Sequence, residues 1–135
     1  MVAQRTSVAQ IAQAGITVAV IAAAVNAVIY LIGNAMGFFP SSVITPAGQP
    51  LSIVPVVLAS VIGSLGAAVA YWLCVRFARD PNRVFYIVAA VVFVLTLFGP
   101  FNLPGAPAGM IVSLELMHVV VAGLALYFLT RLGRS

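Results

Sequence analysis

Residues 53–75 read IVPVVLASVIGSLGAAVAYWLCV, residues 76–83 read RFARDPNR, and residues 84–98 read VFYIVAAVVFVLTLF. Two uncharged apolar runs therefore flank a short segment rich in arginine. At about 1.5 Å of rise per residue, a helix over the first run can cross a hydrocarbon core of roughly 30 Å. Within the short segment, Asp80-Pro81-Asn82 predicts a turn, with Asp80 paired to a neighbouring arginine. This pattern predicts a helical hairpin that crosses a bilayer twice.

Further apolar runs lie on both sides of this hairpin. The first follows Thr6 and Ser7, either of which can cap a helix, and stops at Gly37 and Pro40. It is longer than the roughly 7–15-residue core of a signal peptide, so we expect it to be retained. The chain is 64% hydrophobic and 6% charged, whereas soluble domains carry about 25% charged residues. We predict an all-α membrane protein, a single four-transmembrane-helix bundle over residues 1–135, with spans at about 11–33, 53–75, 84–101 and 109–130.

The arginines orient the predicted bundle. With four spans, all six basic residues fall on the same side, namely Arg5, Arg76, Arg79, Arg83, Arg131 and Arg134. The positive-inside rule makes that side cytoplasmic, so both termini are expected there, in the inner membrane of a bacterium. Aromatic residues near the span ends, among them Phe39, Tyr71 and Phe85, are expected to form interfacial belts. Nucleic-acid binding is not expected despite the net charge of +4, because the arginines do not cluster with interleaved aromatics.

One acid and one histidine lie in the fourth predicted span. Glu115 and His118 are three residues apart, so their side chains share a helical face and lie within reach of each other. Intramembrane carboxylates cost about 2.5–3.5 kcal/mol on insertion scales and usually face a bundle interior or a wet cavity. Counted from the span midpoints, Asn26, Ser60 and Thr96 lie at nearly the same depth. The sequence thus predicts one polar layer to which four helices contribute.

This polar layer has two interpretations. It is either a set of interhelical hydrogen bonds, worth about 0.6 kcal/mol each, or a proton-responsive or ligand-binding site. For Glu115 and His118 both remain open, and for the other three residues we favour the first. Di-iron bundles use Glu-x-x-His spacing but need a second motif and further glutamates, so neither a metal nor another cofactor is expected within one chain. Cys74, the only cysteine, is expected to be a buried small hydrophobe.

The second predicted span carries small residues at helical spacing. They form a small-xxx-small pattern that permits close helix contact, and they are Ala59, Gly63, Gly66, Ala67 and Ala70. We favour packing within one bundle over a dimer seam. Ala122, Gly123 and Ala125 offer a matching surface on the fourth span.

With these spans placed, the chain resembles an uncharacterised family of short four-span bacterial membrane proteins, known as domain of unknown function 6069. The resemblance rests on Ala23-Ala24-Val25-Asn26, the prolines opening the second span, the Arg-x-x-Arg inner loop, and the stretch from Leu116 to Ala122. It implies the four-span topology and a role for His118, but no activity.

Three functions compete. The leading hypothesis is a noncatalytic interaction partner or accessory subunit in contact with lipid, as a homo-oligomer or in a larger complex, with Glu115 and His118 as a buried polar pair. The second is a proton-linked small transporter or ligand binder that uses this pair. A haem or metal-binding redox subunit comes third, because His118 supplies one axial ligand per chain. An enzyme is not expected, since the sequence has no nucleophile elbow, P-loop or dinucleotide fingerprint.

Overall fold

The computed structural model describes residues 6–132, which form four α-helices and no β-strand. The helices are α1 (Val8–Ala35), α2 (Ile53–Phe77), α3 (Pro81–Phe101) and α4 (Ala108–Leu132). All four are long and apolar enough to cross a membrane. Their outer surface carries many exposed large apolar side chains, as lipid contact requires. The predicted all-α, four-helix membrane architecture is confirmed.

Local sequence signals set the ends of α1. Ser7 accepts a hydrogen bond from the Gln10 backbone N–H, and the Gln10 side chain accepts one from the Ser7 backbone, which completes a capping box. At the other end, Gly37 adopts φ 77°, and the Phe38 N–H donates to the Gly33 carbonyl. This is a Schellman motif, which needs a residue without a Cβ penalty in the left-handed region. The expected cap at Ser7 and stop at Gly37 are confirmed.

The structure changes two details of α3. Asp80 caps the helix by accepting from the Arg83 backbone N–H at 3.1 Å, and Pro81 occupies the first turn, where no N–H is needed. The predicted turn is therefore a helix start, and the carboxylate has a backbone partner in place of the expected arginine side chain. At the other end the helix continues through Pro100 to Phe101. A proline this close to the end interrupts only the final turn.

The helices pack around α2 and α4. Within residues 6–132, α1 contacts α2 and α4, and α3 also contacts α2 and α4, but α1 and α3 do not touch. Helices α1 and α2 approach closely at Gly15, where an added Cβ would lie 2.6 Å from the Ala68 Cβ. In α3 only Phe85 and Pro100 are buried, so this helix is the least enclosed of the four.

Thr6 at the start of α1 hydrogen-bonds the Leu132 carbonyl at the end of α4. The loop between α2 and α3 lies at this same end, which we call the arginine end, with Arg131 stacked on Tyr127. Arg5 and Arg134 lie outside the described residues. The side of the membrane that the arginine end faces stays a prediction.

Two apolar clusters form the core, and they include aromatics that were expected at the membrane interface. At the arginine end, Tyr71 is fully buried and packs edge-to-face on Phe85 with ring centroids 5.2 Å apart. At the opposite end, Phe39 stacks on Tyr30 at 5.0 Å. Tyr71, Phe85 and Phe39 are therefore buried against other rings inside the bundle. Their position at the membrane interface stays a prediction.

The segment between α1 and α2 folds over the end of the bundle. Phe39 and Val43 are buried against Tyr30, Val56 and Met110. We call residues 38–52 the cap. It is uncharged, and Phe39 and Val43 are its buried residues.

Candidate functional site

A cavity of about 500 Å³ lies between α2, α3 and α4. Its wall runs along α2 from Pro55 to Ala70, which corresponds to about 22 Å of helix. Most of the wall is apolar, and it continues onto α3 from Phe85 to Thr96 and onto α4 from Leu114 to Ala125. Because α3 packs loosely on α2, the cavity is bounded on one side by the least enclosed helix of the bundle.

The small residues of α2 line this cavity. All five predicted packing residues belong to its wall, namely Ala59, Gly63, Gly66, Ala67 and Ala70. An added Cβ on Gly63 would lie 3.7 Å from Val121 of α4, whereas one on Gly66 would meet nothing within 4 Å. The close α1–α2 contact is made on another face of α2, at Ala68. The five small residues therefore leave space beside α2.

Asn26 joins three helices at the predicted polar layer. This α1 residue is 2% exposed, and its Nδ2 donates to Ser60 Oγ of α2 at 2.8 Å and to the Met117 carbonyl of α4 at 3.5 Å. Ser60 in turn donates to the Val56 carbonyl of its own helix. The Asn26 Oδ1 is buried and accepts no hydrogen bond from the described chain. A buried amide oxygen without a donor is costly unless something else supplies one.

His118 and Thr96 reach the same cavity from α4 and α3. His118 Nδ1 lies 2.7 Å from the Leu114 carbonyl one turn earlier. A carbonyl oxygen only accepts, so Nδ1 holds a proton and Nε2 of a neutral ring is an acceptor. Thr96 donates its hydroxyl to the Phe93 carbonyl at 2.8 Å, which leaves its oxygen free to accept. The structure thus brings Asn26, Ser60, Thr96 and His118 to one cavity wall.

Glu115 lies apart from these four residues. Both of its carboxylate oxygens are buried and make no hydrogen bond with any residue from 6 to 132, so Glu115 and His118 are not bonded to each other. Glu115 is also not part of the cavity wall. The two residues share a helix turn, but the geometry separates the acid from the polar layer that the histidine joins.

The chain can be assigned to a protein family from its sequence. The profile of a family of unknown function, DUF6069, matches residues 6–135. The chain belongs to this family. Neither the curated proteins nor the solved structures include a significant match to it. The family resemblance inferred from the sequence is thereby confirmed.

In this DUF6069 protein, a hydrogen-bonded cluster joins α2, α3 and α4 at the arginine end. Asn82, in the first turn of α3, accepts from the Tyr71 hydroxyl of α2 at 2.8 Å and donates to the Thr130 carbonyl of α4 at 3.0 Å. Tyr86 lies 3.4 Å from the Thr130 hydroxyl. We call Tyr71, Asn82 and Thr130 the clamp. The sequence pattern did not predict the clamp, although an amide directly after the proline of the Asp80-Pro81-Asn82 segment was a usable signal.

Metal-binding side chains are sparse in this DUF6069 protein. Across residues 6–132, no three or more His, Cys, Asp or Glu side chains come close enough to hold a metal ion. Cys74 is buried in the apolar cluster at the arginine end, beside Tyr71 and Phe85. Its surroundings fit the small hydrophobe expected from the sequence.

Proposed function

We propose that this DUF6069 protein is a noncatalytic multi-pass membrane protein that binds a lipid-soluble small molecule in the cavity between α2, α3 and α4. The observation that carries the proposal is a mostly apolar space of about 500 Å³ whose wall also includes four polar residues, Asn26, Ser60, Thr96 and His118. Ligand sites are typically 300–1,000 Å³, mostly apolar, with a few polar groups that fix orientation. The cavity meets each of these criteria.

The small residues of α2 support the same proposal. Ala59, Gly63 and Gly66 are exposed, yet they face α3 and α4 across the cavity. Larger side chains at these positions would fill the space, as they do in the ordinary core of a close-packed bundle. A molecule dissolved in the bilayer would reach this space between α2 and α3, where the packing is sparse.

We also propose that the protein lies in the cytoplasmic membrane of a bacterium, with the arginine end and both termini in the cytoplasm. The support is that four arginines of the described chain, Arg76, Arg79, Arg83 and Arg131, lie at one end of the bundle. Basic residues flanking short spans are retained on the cytoplasmic side.

Two matched leucine substitutions test ligand binding. Gly66→Leu places a side chain in the cavity without a backbone clash, because a Cβ there meets nothing within 4 Å. Gly123→Leu is the control, since a Cβ there is equally unhindered and the residue is not part of the wall. Both exchanges raise helix propensity by the same amount.

The two variants and the unmodified protein are purified in mild detergent, and retained small molecules are identified by native mass spectrometry. We expect the unmodified protein and Gly123→Leu to retain a molecule that Gly66→Leu has lost. Equal retention by all three, or by none of them, would contradict ligand binding in this cavity.

A partner helix is the second candidate occupant, in keeping with an accessory-subunit role. The exposed faces of Gly63 and Gly66 permit a close approach by another transmembrane helix. Site-specific crosslinking from Gly66 distinguishes the two functions. A protein adduct of defined mass supports the accessory role, and crosslinks to small molecules alone support ligand binding.

A further inference from the structure

We propose, on the basis of the ligand-binding function above, that the ligand is a lipid-soluble alcohol or phenol whose hydroxyl donates a hydrogen bond to the polar layer. The head group that a ligand can carry depends on which hydrogen-bonding groups of the cavity wall are already used within the protein. Four side chains of the wall are polar: Asn26, Ser60, Thr96 and His118.

All of the donors among these side chains are used within the protein. The Asn26 amide donates to Ser60 and Met117, and the Ser60 hydroxyl donates to the Val56 carbonyl. The Thr96 hydroxyl and the His118 Nδ1 donate to carbonyl groups of their own helices. None of these N–H or O–H groups remains to bind a ligand carbonyl.

The unused groups are all acceptors. Asn26 Oδ1 is buried without a donor, within a residue that is 2% exposed. The Leu114 contact places a proton on His118 Nδ1, so Nε2 of a neutral ring is an acceptor, and the Thr96 oxygen retains its lone pairs. A ketone, ester or ether would place acceptor against acceptor here. A ligand hydroxyl satisfies the layer instead, because it donates one hydrogen bond.

Within residues 6–132, the cavity wall includes no acidic residue, which favours a hydroxyl over an ammonium head group on the ligand. Glu115 is the one acid in the span and is not part of the cavity wall. An alkylammonium ion would therefore sit in an apolar cavity without a counter-charge, which is costly in a membrane interior. A neutral donor avoids this cost.

The shape of the cavity indicates where the apolar part of the ligand lies. From Ser60 to Ala70 the wall extends about 15 Å towards the arginine end. Phe85, Ala89 and Ala125 complete this part of the wall, and none of them carries a polar group. If the ligand hydroxyl binds at the polar layer, the apolar chain or ring system of the ligand would extend towards the clamp.

The test titrates three probes into the full chain in detergent micelles, with binding followed by native mass spectrometry. The probes are dodecanol, dodecyl methyl ether and dodecylammonium, which share one apolar chain and differ in the head. We expect dodecanol to bind about tenfold more tightly than the ether, the equivalent of one hydrogen bond to a buried acceptor. Dodecylammonium is expected to bind more weakly than dodecanol.

Two substitutions test whether the preference for an alcohol over an ether depends on the polar layer. Asn26→Leu and His118→Phe preserve approximate shape and remove the acceptors, so each should lower the alcohol-to-ether affinity ratio while ether binding persists. Ser64→Ala is the control, because Ser64 is buried on α2, bonds its own helix and is not part of the wall. It should leave the ratio unchanged. The affinity ratio does not depend on the fraction of protein that is active. If Asn26→Leu fails to fold, His118→Phe alone still tests the polar layer.

The outcomes separate this inference from the proposed function. If alcohol and ether bind equally and Gly66→Leu abolishes both, the cavity binds ligands but the hydroxyl preference is wrong. Tighter binding of dodecylammonium would also overturn the hydroxyl preference. If no probe binds saturably, or if Gly66→Leu has no effect, both the inference and the ligand-binding function fail.

Discussion

The close contact between α1 and α2 at Gly15 predicts a measurable effect from a single methyl group. Gly15→Ala would place a Cβ 2.6 Å from the Ala68 Cβ, whereas carbon atoms normally pack at about 3.5–4.0 Å. The backbones of α1 and α2 must therefore separate by about 1 Å. Overpacking of this kind costs about 1–3 kcal/mol. Alanine also improves helix propensity by about 0.5–1 kcal/mol, so the steric cost has to be measured against a reference glycine.

Gly66→Ala supplies that reference, because its Cβ meets nothing within 4 Å and the propensity gain is the same. The free energy of unfolding is measured for both variants by titration with a denaturing detergent. We expect Gly15→Ala to be less stable than Gly66→Ala by about 1–3 kcal/mol. Adding Ala68→Gly to Gly15→Ala removes the facing methyl group and should recover most of the loss, measured against Gly66→Ala that carries the same Ala68→Gly exchange. Equal stability of the two single variants, or no recovery in the double variant, would refute the proposed α1–α2 contact.

Three further outcomes follow from the structure. Asn82→Ala breaks two interhelical hydrogen bonds. At about 0.6 kcal/mol per bond, it should lower the free energy of unfolding by about 1 kcal/mol. Unchanged stability would show that the clamp does not hold the helices together. Glu115→Gln should not lower thermal stability, because neither carboxylate oxygen has a partner to lose, and a lower melting temperature would reveal one. On a Cys74→Ser background, Ser42→Cys should react with a membrane-impermeant maleimide in intact cells and Arg79→Cys only after lysis, and the reverse pattern would invert the proposed orientation.

The fold followed from the sequence to a large extent because the bilayer imposes a simple length requirement. Four apolar runs, separated by Gly- and Pro-containing segments, were sufficient to place four helices. The helix ends were less accessible, since capping extends a helix past the apolar boundary. Thus α1 begins at Val8, three residues before its predicted span, because Ser7 and Gln10 cap it, and α3 begins at Pro81 because Asp80 caps it.

The candidate site was only partly visible in the sequence. Counting depth along each span placed Asn26 and Ser60 at one level, and the structure joins them by a hydrogen bond. Rotation about the helix axis was not predictable, because these helices are apolar around most of their circumference and show no clear inward face. That rotation directs His118 to the cavity wall and excludes Glu115 from it. The same limitation concealed the role of the small α2 residues in shaping a cavity.

The cap covers part of the bundle end opposite the arginine end. Phe39 stacks on Tyr30, and Val43 is only 2% exposed, so both residues pack in the apolar cluster that contains Met110. In the proposed function, a ligand enters from the bilayer between α2 and α3. Occupancy of the polar layer would follow the concentration of a compound in the hydrocarbon phase. A poorly water-soluble compound could then saturate the site at a very low aqueous concentration, with its oil–water partition coefficient acting as an additional selectivity filter.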